Sequence, residues 1–118
     1  MSRNRWHILR EGDSLTVTRA LPVRFDVAAE TTLPDGGRLR LAQQVRQDLW
    51  RTLQALRGFA PAVRVTRRGD ACEIIAGGRV EGAHDKASVD ARIAEMLSDP
   101  DLRARWSVFA AHREGTHA

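Results

Sequence analysis

Residues 23–57 read VRFDVAAETTLPDGGRLRLAQQVRQDLWRTLQALR, and the change of rhythm inside this stretch decides the fold. Val23, Phe25, Val27 and Ala29 fall on one side of an extended chain, and Arg24, Asp26 and Glu30 on the other. Alternation of this kind predicts a half-buried strand over 23–31, because successive side chains of a strand point to opposite faces. Pro34-Asp35-Gly36-Gly37 ends the pattern. From Arg38 the apolar residues recur at three and four. Leu41, Val45, Leu49, Thr52/Leu53 and Leu56 draw one stripe down a helix expected over 38–57. Gly58 follows where a left-handed closing residue is wanted.

Before this stretch, Arg5–Arg10 and Ser14–Arg19 are short runs joined by Glu11-Gly12-Asp13, which reads as a hairpin with its second strand over 14–20. Pro22 interrupts any ladder, since it has no N–H to donate. After the helix, Ala60-Pro61 opens a second hairpin. Val63 and Val65 alternate with Arg64 and Thr66, Arg68-Gly69-Asp70 turns, and Cys72, Ile74 and Ala76 face inward, giving strands over 62–68 and 71–76. Gly77-Gly78 is expected to end that strand, and 79–83 to be a loop or a short extra strand.

Asp85 is an N-cap for a helix over 85–97 with Val89, Ile93, Met96 and Leu97 on one face. Ser98-Asp99-Pro100-Asp101 stops that helix and starts another over 100–111, carrying Leu102, Trp106 and Phe109. The order is β-hairpin, β, α, β-hairpin, α, α. The fold class is therefore α+β: a mostly antiparallel sheet of four to five strands with two or three helices on one face. Its central part resembles a split βαβ, or ferredoxin-like, arrangement. A single α+β domain over 1–112 is expected, with Leu49, Phe25, Ile93 and Trp106 in one shared core and a loose tail over 113–118.

Composition bounds the function. The chain has 118 residues, 42% hydrophobic and 29% charged, as an ordinary globular domain has. No apolar run is long enough to span a bilayer, and none follows the basic Met1–Trp6, so neither a membrane segment nor a signal peptide is expected. A single cysteine forms no internal disulfide. These features point to the cytoplasm. The basic residues are arginine with the sole exception of Lys86, the usage of a bacterial chain encoded at high GC.

The arginines cluster. Between Gly36 and Arg68 stand Arg38, Arg40, Arg46, Arg51, Arg57, Arg64, Arg67 and Arg68 against one acid, Asp48, in a chain of net charge +4. Residues 80–118 hold five basic and seven acidic residues. A basic centre of this kind points to an anionic partner, or to a solvated helix face.

No catalytic, cofactor or metal signature accompanies it. The histidines, His7, His84, His112 and His117, lack the spacing of metal ligands. Cys72 occupies an inward strand position rather than the electropositive, accessible setting of a nucleophile. Gly36-Gly37 and Gly77-Gly78 fit no phosphate-binding pattern. The sheet face away from the helices is expected to show Arg24, Asp26, Arg64, Thr66, Arg68, Glu73 and Ile75, with no aromatic platform for stacking bases.

The sequence therefore reads as a non-enzymatic binding module. Its leading form is a protein-interaction or accessory subunit, self-associating or with a protein partner, through Ile75, Trp50 and Trp6. The alternative is sequence-indifferent contact with nucleic-acid phosphates through Arg64, Arg67 and Arg68, aided by Arg46 or Arg51. A small-molecule enzyme ranks third, and no small-molecule ligand is identified.

Overall fold

The computed structural model describes residues 6–111. The elements are β1 (His7–Glu11), β2 (Ser14–Thr18), β3 (Val27–Pro34), α1 (Arg38–Leu53), β4 (Phe59–Arg68), β5 (Ala71–Val80), α2 (Lys86–Ser98) and α3 (Pro100–Ala110). The strands form one open sheet in the order β1-β2-β4-β5-β3, with every neighbouring pair antiparallel. This is the expected α+β architecture. β3 and β4 run parallel to each other, but β5 lies between them, so β3–α1–β4–β5 is a split βαβ unit. The β1–β2 hairpin extends the sheet beyond β4. The expected tail over 113–118 lies outside the described residues, as do His112 and His117.

Helix and sheet share one core. Leu41, Val45, Leu49 and Leu53 of α1 are fully buried, as the stripe predicts, each contributing roughly 1.5–3 kcal/mol. They meet Leu15, Val17, Val63, Val65, Cys72, Ile74 and Ala76 from the sheet, and Ile93 and Trp106 from α2 and α3. The caps read from sequence are in place: Asp85 accepts from the Ser88 N–H, and Asp99 from the N–H groups of Asp101 and Leu102.

Several boundaries differ from the sequence reading, and β2 ends at Thr18 rather than at 20. The third strand is Val27–Pro34 rather than 23–31. Between β2 and β3 lie β4 and β5, so residues 19–26 must cross the end of the sheet over about 14 Å of strand spacing. That crossing takes Phe25 out of the shared core. Its ring instead lies beside the Arg64 guanidinium, 5.4 Å from centroid to carbon. α1 stops at Leu53, and the chain turns to Gly58, whose φ is +71°.

β4 and β5 are each ten residues long, so Gly77-Gly78 lies inside β5 rather than at its end. A β-carbon at Gly77 would stand 1.9 Å from the Val27 carbonyl oxygen, and one at Gly78 2.2 Å from that of Ala60. These glycines let neighbouring backbones approach closely, which is another reason for glycine within a strand. Phe109 also departs from its expected place. It is exposed, and Ala110 takes the buried position on α3.

Candidate binding surfaces

Partners across an antiparallel ladder share a face. The row Leu9, Thr16, Arg64, Ile75 and Glu30 therefore crosses all five strands on the face away from the helices. Ile75 stands fourth in the row, beside Glu30 of the β3 edge strand, and is half-buried. Arg64 lies across the row, donating from Nε to the Thr16 hydroxyl at 3.0 Å and resting against Phe25. This face thus does carry an aromatic ring, contrary to the sequence reading, because the crossing segment lays Phe25 there. Arg24 and Asp26 belong to that crossing segment and pair with each other at 2.7 Å.

The three arginines of the second hairpin do not project as a unit. Arg67 is in register with Cys72 and Leu33, both core residues, and so faces the helix side. There it pairs with Asp35 at 3.1 Å and donates to the Gly36 carbonyl. Arg68 faces the other way and pairs with Glu73 at 3.1 Å. Of the two helix arginines, Arg51 reaches back to Asp48 at 3.3 Å. Arg46 makes no hydrogen bond or ion pair among the described residues.

Arg46 belongs to a different constellation. Its guanidinium lies 4.5 Å from the centroid of the Trp6 indole, and that of Arg19 lies 5.5 Å from the same ring. Trp50, four residues after Arg46 on the same helix face, is 47% exposed. With Phe59 and Pro61 of β4 these side chains line a cleft of about 680 Å³. Burial, and then the neighbouring Arg19 charge, push the Arg46 guanidinium below its ordinary pKa. Trp6, Trp50 and Arg46, proposed separately from sequence, thus come together, and Ile75 does not join them. Arg19, Phe59 and Pro61 were not foreseen, since only the sheet order brings residues so far apart in sequence to one place.

Two further groups are buried. Asp48, the lone acid of the basic segment, is buried and accepts from the Trp106 indole N–H at 2.7 Å, from Arg105 and from Arg51. Cys72 is fully buried, and burial pushes its thiol pKa up. Among the described residues no three His, Cys, Asp or Glu side chains gather as metal ligands, and no helix is long and apolar enough to cross a membrane.

The two edges of the sheet are treated differently. At β3, Asp90 of α2 accepts the Ala28 N–H at 2.8 Å, and Arg103 of α3 donates to the Thr32 carbonyl at 2.7 Å. Among the described residues no such group covers the outer side of β1, where Ile8 and Leu9 are 45% and 39% exposed. Comparison with protein-family models, with curated proteins and with solved structures finds no match.

Proposed function

We propose that this chain is a binding module without chemistry of its own, whose partner at the sheet edge is a second copy of itself. The unequal edges carry this reading. The β3 edge is occupied by side chains of α2 and α3, whereas β1 offers its ladder and two exposed apolar side chains to a further strand. Proteins that avoid such pairing place proline, charged side chains or a bulge on the edge. The segment His7-Ile8-Leu9-Arg10-Glu11 has no proline, and its two charged residues, Arg10 and Glu11, stand at its last two positions.

The sequence of β1 is also self-complementary. Antiparallel pairing of two copies about Leu9 sets His7 opposite Glu11 of the second copy, and Ile8 opposite its Arg10, as a twofold axis requires. A five-residue strand buries less than the roughly 1,000 Å² of a firm interface, so the association is expected to be weak and concentration-dependent. Contact with phosphates through Arg64, Arg67 and Arg68 has less support, because Arg67 and Arg68 are engaged by Asp35 and Glu73.

Light scattering across a concentration series tests the proposal. The mass should rise from 13.2 kDa towards twice that value. Ile8→Lys with Leu9→Lys should hold the protein at the monomer mass with an unchanged circular dichroism spectrum. A wild-type chain that stays monomeric at millimolar concentration would sink the idea, as would a double variant that associates equally well.

A further inference from the structure

We infer that the cleft lined by Trp6, Trp50 and Phe59 binds a nucleotide, its base stacked on the exposed Trp50 ring and its phosphate held by Arg46 and Arg19. This site is separate from the β1 edge, and the inference does not depend on the pairing proposed there.

Three observations converge on a nucleotide. The first is charge. Arg46 and Arg19 both line one cavity, and the other described residues that line it, Trp6, Trp50, Phe59 and Pro61, include no carboxylate. The Arg46 guanidinium lies 4.5 Å from the Trp6 centroid, and no hydrogen bond or ion pair among the described residues occupies its N–H groups, which suit an oxyanion. A phosphate dianion matches two arginines, whereas a side-chain carboxylate brings a single charge. Burial, and after it the neighbouring Arg19 charge, disfavour the Arg46 cation, and an anion here would offset both.

The second is the flat apolar lining. Indole faces stack on any nucleobase and gain further from a nearby guanidinium. The third is size. About 680 Å³ lies within the range of small-ligand sites of roughly 300–1,000 Å³ and is large enough for one nucleotide. The same unit comes either as a free mononucleotide or as one residue of a single strand, and the chemistry of recognition is shared.

Titration followed by tryptophan fluorescence tests this, because two of the three tryptophans line the cleft and Trp106 is buried elsewhere. The probes are AMP, adenosine, an eight-nucleotide single-stranded DNA and hexaglutamate, at low salt. AMP should bind saturably and adenosine about tenfold more weakly, as loss of the phosphate contacts predicts. Binding of the oligonucleotide in preference to AMP upholds the site and assigns its source to a strand.

Arg46→Gln and Trp50→Ala should each weaken binding about tenfold or more. Both side chains reach the surface, so the fold should survive. Arg68→Gln, on the other face of the sheet, should change nothing. The inference is overturned if neither AMP nor the oligonucleotide binds, if hexaglutamate binds as tightly as either, or if binding persists in both cleft variants.

Discussion

The indole N–H of Trp106 donates to the Asp48 carboxylate at 2.7 Å in the seam between α1 and α3. A buried carboxylate needs partners for its lone pairs, and here Arg105 and Arg51 complete the set. The only acid in the arginine-rich segment is thus buried in the fold, where it answers Arg51 of that segment and Arg105 of α3.

Replacing Asp48 with Asn keeps an acceptor for Trp106 but removes the charge that Arg105 and Arg51 answer. A loss of about 1–3 kcal/mol is expected, the range for hydrogen bonds to charged groups. Urea denaturation measures it, and a change below about 0.5 kcal/mol would mean that the three contacts contribute little net stability.

Truncating Leu49 to Ala should cost about 2–5 kcal/mol, since the side chain is fully buried between α1 and the sheet. The same measurement on Phe25→Ala should give a smaller loss, because Phe25 lies outside that core.

Gly77→Ala should be more damaging than its single added methyl suggests. The new carbon would meet the Val27 carbonyl oxygen at 1.9 Å, so β3 and β5 must separate locally. A loss of about 3 kcal/mol or more, at the upper end for overpacking, is expected in the same denaturation series.

Acid should weaken the fold through two carboxylates. Hydrogen bonds from Arg24, and then from the Val80 N–H, hold Asp26 below the usual carboxylate range. At Asp90 burial is the largest influence and acts upwards, yet the Lys86 ammonium and the Ala28 N–H together outweigh it and leave this carboxyl low as well. A lowered folded value means that the unfolded chain binds protons first. The stabilisation is therefore complete above the unfolded value of about 4 and is lost as pH falls through the lower folded values. Asp90→Asn should flatten the acid limb of the stability curve, and an unaltered limb would count against the assignment.

Cys72 should react with a disulfide reagent only when the native structure opens. The thiol is buried, and burial raises its pKa, so the thiolate is scarce at neutral pH. Rapid labelling of the native protein would contradict this, whereas labelling in urea should be fast.

Much of this fold was legible where periodicity acts locally. The α1 stripe, and the alternation of Val63 and Val65 with Arg64, need only the neighbouring residues to be read. Phe25 shows where such reading stops. Its alternation with Val23 and Val27 is real, but the strand order demands a crossing there, and the crossing overrides the pattern. The cleft was half legible for a similar reason. Arg46 and Trp50 share a helix face by spacing alone, while Trp6, Arg19 and Phe59 arrive only through the register of the sheet. The Gly77-Gly78 pair looks like a strand end because its reason, the closeness of Val27 and Ala60, is invisible along the chain.

The start of α1 has no cap of its own: Gly37 stands at the N-cap, no side chain closes it, and its first turn holds no acid. The group that answers the Gly37 N–H, at 2.7 Å, is the carbonyl of Ala110 at the far end of α3, and Arg40 donates to the Phe109 carbonyl beside it. The electronegative end of one helix is thereby set against the electropositive start of another. On the ribosome this arrangement imposes an order of events. α1 is synthesised early, yet its first turn gains its partners only after residue 110 has emerged, so this helix should fray at its start throughout elongation and tighten in a single late step.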